Sequence, residues 1–165
     1  MHRLEVAQAV QGGDAEEVVG ALLTASRLLV AMAARSVAAV AENLTLPQYR
    51  MLVVLDTRGP SSLARLAGQL EVNPSTALRM VERLSGAGLV EKVANPDSRR
   101  EVVLSLTTTG RAVVHQVTEH RLVEIERTVC AIPADHREHL VAALHAFTEA
   151  GGEPAARLPA LPGWH

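Results

Sequence analysis

At 165 residues, with 48% apolar side chains, the chain is long enough to bury a core and too apolar to remain unfolded. Its 16 basic and 18 acidic residues give a formal net charge of −2, an unpromising total for a nucleic-acid binder unless the charge is unevenly distributed. A single cysteine, Cys130, excludes an internal disulfide. No glycine-rich phosphate loop, nucleophile elbow or paired carboxylate site is present, so no catalytic residue is assigned and no cofactor is expected.

The first expected element is a helix from about Asp14 to Asn43. Val18, Leu22, Leu29, Met32, Val37 and Val40 supply more apolar surface than one small lobe can cover, and the alanine-rich stretches let a second backbone come close. A partner is implied. Leu22 to Ala41 comes nearest to a membrane span, but Arg27 and Arg35 interrupt it. No basic segment leads into an apolar signal core at the N-terminus, so the expected location is the cytoplasm, with no membrane partner.

From Ser62 to Leu70 apolar residues recur at helical spacing behind a serine that can cap the start. Glu71, Val72 and Asn73 separate this supporting helix from a second one opened by Asn73-Pro74, with asparagine as the expected cap and proline at the first helical position. That is a helix-turn-helix spacing. Wound at 3.6 residues per turn, the second helix gathers Ala77, Met80, Val81 and Leu84 on one side for packing. Ser75, Arg79 and Glu82 lie opposite, with Thr76, Leu78 and Arg83 on the flanks. An arginine can bond a guanine edge through two hydrogen bonds, and hydroxyls in the first turn sit where free amides favour a phosphate.

Gly86 and Gly88 close that helix. Leu89-Val90-Glu91-Lys92-Val93 and Val102-Val103-Leu104-Ser105-Leu106 read as two strands, joined by the turn-rich tip Asn95-Pro96-Asp97-Ser98-Arg99-Arg100. A hairpin after a helix-turn-helix makes a winged helix, and Arg99 and Arg100 suit insertion into a narrow minor groove. Charge is concentrated in the same region. Arg58 to Arg111 holds eight basic and five acidic residues, a net of +3, which leaves −5 on the rest.

A long helix from about Thr108 to Ile132 follows, ended by Pro133, with Val113, Val117, Leu122, Ile125 and Val129 as its stripe. A last helix runs from about Ala134 to Ala150 and Gly151-Gly152 stops it. The proline-rich segment from Glu153-Pro154 to Trp164-His165 is expected to be extended or disordered. Helices at both ends suit a homodimer with interlocked termini, since sustained coiled-coil heptads are absent. The fold class expected is mainly α with a small β wing: a winged helix-turn-helix with N- and C-terminal dimerisation helices. The expected divisions are 14–45 (dimerisation), 46–107 (DNA-binding), 108–150 (dimerisation) and 151–165 (tail).

The chain resembles the MarR family of bacterial transcriptional regulators. Carrying the resemblance are Leu46-Pro47-Gln48-Tyr49-Arg50, Leu63-Ala64-Arg65-Leu66-Ala67, Pro74-Ser75-Thr76-Ala77-Leu78-Arg79, Gly88-Leu89-Val90 and the stretch Asp97 to Thr107 with Gly110 beyond. The resemblance implies a homodimer that binds double-stranded DNA, represses, and is released by a small-molecule effector or an oxidant. The residues placed on DNA are Ser62, Asn73, Pro74, Ser75, Thr76, Leu78, Arg79 and Arg83, with Arg99 and Arg100 from the wing. By resemblance the effector lies near Tyr49 and Arg50, a ring and a cation suited to an aromatic carboxylate, although Tyr49 also reads as plain core. Two positions depart from the family pattern. Measured back from Leu106-Thr107, the wing arginine is Arg100, but the aspartate expected two places before it is Ser98, with Asp97 one place early. Leu78 stands where a hydroxyl residue is common, which favours contact with a thymine methyl over a hydrogen bond.

Other classes are weaker on the page. Five of the seven histidines fall between His115 and His145, and His136 and His139 share a helix face. Zinc needs three or four convergent ligands, however, and no second compact pair follows, so no metal site is assigned. Cys130 is read as a packed thiol with intersubunit pairing left open, and a metal- or redox-sensing regulator stays as an alternative reading. A winged helix acting as a protein adaptor without DNA binding is the main alternative, opposed by Ser75, Thr76, Arg79 and both wing arginines. The dimerisation module of an enzyme is opposed by the absence of a catalytic domain in the sequence.

Overall fold

The computed structural model describes residues 13–95 and 98–153. Along them run α1 (Gly13–Val40), α2 (Leu46–Arg58), α3 (Leu63–Gln69), α4 (Pro74–Gly86), β1 (Val90–Asn95), β2 (Ser98–Leu106), α5 (Thr108–Cys130) and α6 (Ala134–Ala150). The fold is mainly helical with one two-stranded antiparallel sheet, as the sequence led us to expect.

Local chemistry accounts for the boundaries. Thr45 and Gln48 form a reciprocal capping box at the start of α2, with Pro47 in its first turn. Ser62 caps α3 by accepting the amide of Arg65 at 3.3 Å. Pro74 opens α4, but the expected side-chain cap from Asn73 is not made. The Asn73 backbone carbonyl accepts the amides of Thr76 at 2.9 Å and Ala77 at 3.0 Å, so those donors are satisfied without the side chain. At the other end Leu89 donates to the Leu84 carbonyl and Gly88 to the Ser85 carbonyl, a Schellman closure with Gly88 at φ 71°. The first helix stops at Val40 rather than Asn43, and the long C-terminal helix at Cys130 rather than Ile132.

One core holds the middle of the chain together. Met51, Leu52, Leu66, Ala77 and Val117 are wholly inaccessible, so α2, α3, α4 and α5 share a single buried centre. Burying a leucine or methionine side chain in such a centre contributes roughly 1.5–3 kcal/mol. The hairpin docks on this centre through Val90, Leu104 and Leu106. Ser61 adds a one-residue third strand: its amide donates to the Leu104 carbonyl at 3.0 Å and its carbonyl accepts the Leu104 amide at 2.8 Å.

The terminal helices are different. Only Met32, Ala33, Ser36 and Val37 of α1 are buried, all in its second half. There α1 packs along α5, and Arg35 reaches Glu124 through two nitrogens, the shorter contact being 2.6 Å. By length and composition α1 is apolar enough to cross a membrane, so Arg27 and Arg35 do not remove it from that class. No residue of α6 is buried. Arg137 fastens its start by donating to the carbonyls of Ile132 at 2.9 Å and Cys130 at 3.2 Å. Cys130 itself is exposed, which corrects its reading as a packed thiol: among the described residues Arg137 reaches its carbonyl but nothing buries its side chain. The tail beyond Glu153, with Trp164, lies outside the described residues.

Candidate nucleic-acid interface

The surface assembled around α4 follows from its amphipathic pattern. Ala77, Met80, Val81 and Leu84 are buried, so the helix cannot rotate without exposing them, and the opposite face is fixed outward. Asn73, Pro74, Ser75, Leu78, Arg79, Glu82 and Arg83 are exposed, and Thr76 is half-buried on the flank. Neither Arg79 nor Arg83 forms an ion pair among the described residues, which leaves both guanidinium groups free for an external acceptor. Ser62 is committed as the cap of α3 and sits half-buried beside this face.

The wing extends from the end of α4. Val90 pairs with Leu106, Glu91 with Ser105, Lys92 with Leu104, Val93 with Val103 and Ala94 with Val102. Register then breaks, because Asn95 pairs with Ser98. One step along β1 therefore spans four along β2, and Arg99, Arg100 and Glu101 fall within the irregularity. The two arginines belong to the start of β2 rather than to the turn, which is shorter than expected. Their side chains, and Pro96 and Asp97, lie outside the described residues.

Beside α4 a trough opens toward the start of α2. One part, about 460 Å³, is lined by Thr45, Pro47, Gln48, Thr76, Arg79 and Arg83 among others. A second part, about 450 Å³, runs past Glu42, Asn43 and Leu44 to Ala87 and Leu89. Gln48 and Arg83 line both parts. The trough thus places two arginines of the reading helix against the loop that ends α1.

The sequence profile of the MarR family matches residues 44–102, the span from the cap of α2 into β2. The crystal structure of RV1404 from Mycobacterium tuberculosis superposes with a TM-score of 0.82 at 53% identity, covering 90% of this chain and 100% of that one. The chain belongs to the MarR family of transcriptional regulators. Among named relatives, the HTH-type transcriptional repressor NicR of Pseudomonas putida is 38% identical over 72 residues, 44% of this chain and 46% of NicR. The multiple antibiotic resistance protein MarR of Escherichia coli is 32% identical over 81 residues, 49% of this chain and 55% of that protein. The chain spans about half the length of these two curated relatives.

Within this MarR family fold, the residues expected at an effector site do not meet. Tyr49 is buried in the core, its hydroxyl 3.5 Å from Thr118 Oγ1. Arg50, one position on, faces solvent and lies 3.5 Å from Glu153 at the end of α6. The trough sits at the same end of α2 but uses Gln48 instead. The five histidines between His115 and His145 stay on the surface of the arms: His115 faces Glu119 at 3.5 Å, and His139 Nδ1 lies 2.9 Å from the Asp135 carbonyl. Among the described residues no three of His, Cys, Asp and Glu converge as a metal set would require.

Residues that carried the family resemblance, Gly88-Leu89, Thr107 and Gly110, form a junction between the reading helix and its arm that sequence reasoning did not identify. Thr107 Oγ1 donates to the Gly88 carbonyl at 2.7 Å and accepts the Gly110 amide at 3.0 Å, while its own amide donates to the Leu89 carbonyl at 3.1 Å. A Cβ on Gly110 would run into the Leu89 carbonyl, so only glycine permits this approach. The end of α4, the root of the wing and the first turn of α5 are thereby held as one piece. Thr107 before a helical run with glycine three places on was the available signal.

Proposed function

We propose that two copies of the chain bind a pseudo-palindromic stretch of double-stranded DNA and repress transcription there, until a small molecule releases them. The observation that carries this reading is the outward face of α4, where Ser75, Arg79 and Arg83 stand exposed and neither arginine has a partner among the described residues. A helix presenting such a face in the major groove can bond base edges and phosphates together. Two readers per dimer favour half-sites centred roughly 34 Å apart, about one helical turn. The exposed apolar faces of α1 and α6 support a second copy as the cover, and that use of α1 favours a cytoplasmic dimer over a membrane span. Repression is carried over from NicR, which is described as a repressor.

For the effector we infer the trough bounded by Gln48, Arg79 and Arg83. An anionic ligand there would neutralise the arginines that α4 offers to DNA. It would shift the balance only through stronger binding to the DNA-free dimer than to the bound one. A gel shift with DNA from upstream of the protein's own gene tests the DNA reading: salt-sensitive, sequence-selective retardation is expected, and its absence would favour a protein-binding adaptor. Titrating that complex with aromatic carboxylates, zinc and peroxide tests the effector class. Release by a carboxylate, reduced in Arg83→Ala or Gln48→Ala, is expected. Release by zinc that His136→Ala abolishes, or by peroxide that Cys130→Ser abolishes, would move the sensor to the arms.

A further inference from the structure

One side chain on the reading face of α4 is chemically out of place. Leu78 is 40% exposed although its neighbours toward the outside, Ser75, Arg79 and Glu82, are all polar. It lies on the flank away from the trough, which is lined by Thr76, Arg79 and Arg83 on the other side. The trough therefore gives Leu78 no cover, and Leu78 is not among the residues packed on the core that Ala77 and Val81 close. Glu82, one turn further along, narrows what this part of the helix can face. Its carboxylate is exposed and has no partner among the described residues, and beside a phosphate it would be repelled. Docked on a duplex, the flank holding Leu78 and Glu82 is better suited to base edges than to the phosphate backbone.

The only apolar group on a base edge in the major groove is the 5-methyl of thymine. We infer that Leu78 is a specificity-determining residue that reads a thymine methyl, next to the base read by Arg79. This deepens the DNA-binding reading above and rests on it. A leucine offers neither donor nor acceptor, so the preference it creates is for the methyl and against cytosine, whose amino group it would bury without a partner. Covering one methyl corresponds to about fourfold in affinity per half-site, and about fifteenfold when both half-sites of a dimer carry it.

The test uses a duplex selected from a random-sequence pool by the full-length protein, then resynthesised with deoxyuridine in place of each thymidine in turn. Wild type is expected to lose affinity at one symmetric pair of positions, where uracil pairs identically but lacks the methyl. Leu78→Ala is expected to bind the thymine duplex with the same loss and to be indifferent to uracil at that pair. Leu78→Ser should behave like Leu78→Ala, and unchanged melting temperatures would confirm that both fold. A pool that enriches no sequence would sink the DNA-binding reading and this one with it. An enriched duplex bound equally well with uracil throughout would leave DNA binding standing and overturn only the assignment of Leu78. An equal uracil penalty in wild type and Leu78→Ala would place the methyl against another residue and overturn it as well.

Discussion

The lobe from α2 to β2 and the helices that flank it are built to opposite standards of completeness. Within the lobe, Leu66, Ala77 and Leu84 are almost or wholly inaccessible, and both the wing and the first half of α5 close on the same centre. On the flanks, α6 buries nothing, and the first half of α1 leaves Val18, Val19 and Leu23 each more than half exposed. A helix with its apolar stripe in water lacks the tertiary packing that supplies most helical stability in proteins. The lobe has its packing within one chain, whereas the flanks leave apolar surface that the proposed second copy would cover. That division suits a regulator whose reading heads stay rigid while the spacing between them is set by an interface.

The largest effect should come from breaking the flanks alone. Leu144 and Phe147 are 42% and 55% exposed on α6, one turn apart. Replacing both with glutamate would place charge in the inferred dimer contact without touching the lobe. Analytical ultracentrifugation should show monomers, and operator affinity should fall by about 10²–10⁴-fold as the second half-site ceases to be bound in the same event. A double variant that stays dimeric would mean that α6 is not the interface.

The converse experiment breaks the lobe. Leu66→Ala should cost about 2–5 kcal/mol in unfolding free energy, because it opens a cavity where several elements meet. Gly110→Ala should cost about 2–3 kcal/mol, since backbone rather than a side chain must give way at Leu89. Urea denaturation read by circular dichroism measures both. A neutral Gly110→Ala would show that the seam between α5 and the reading helix is looser than its hydrogen bonds imply.

A smaller effect separates reading from folding within the lobe. Arg79→Ala should leave stability unchanged, cost about 1–3 kcal/mol at the preferred sequence and relax the choice of one base pair. Arg100→Ala in the wing should weaken binding more evenly and flatten its salt dependence, by about 0.9 in slope for each phosphate no longer neutralised. Fluorescence anisotropy across several salt concentrations and base substitutions distinguishes the two. Equal changes in slope and selectivity would remove the distinction between helix and wing.

How much of this was legible in the sequence depended on whether the deciding chemistry was local. The limits of α6 follow from Pro133 and Gly151-Gly152, and the buried face of α4 from periodicity, because both are properties of a few consecutive residues. Asn73 looked like a cap, yet a carbonyl on the same residue took the donors, a competition that composition does not reveal. The capping box of α2 was readable as Thr45-x-x-Gln48 but was passed over in favour of the residues after it. Tyr49 and Arg50 could have been separated in advance: adjacent helical residues point about 100° apart, so one core residue sends its neighbour outward. The exposure of Cys130 was not readable, because an apolar stripe looks the same whether its cover belongs to the same chain or to another. The irregular register at the wing tip turns on pairing across the hairpin, which no single stretch encodes.

The smallest effect lies at the seam between the flanking helices, where Arg35 of α1 meets Glu124 of α5. The hydrogen bond from Arg35 holds the Glu124 carboxyl below its ordinary range; partial burial works against that, and the charges of Arg35, Arg127 and His120 add to it. The same contact raises Arg35 above its ordinary value. A carboxyl whose folded pKa is depressed contributes stability above its unfolded pKa and loses it as pH falls through the folded value. The pair's contribution should therefore be fully present and constant near neutrality, and be lost only on the acid side of the ordinary glutamate pKa, about 4.3. Arg35 titrates too far into alkali to add a second limb. Melting wild type and Glu124→Gln side by side from about pH 7 to about pH 3 isolates the effect. Wild type should be slightly the more stable at neutral pH, and the two curves should converge as the carboxylate is protonated. Since both side chains are partly exposed, the difference should also shrink with added salt. A gap that persists to the acid end would mean that Glu124 holds α1 on α5 by packing rather than by charge.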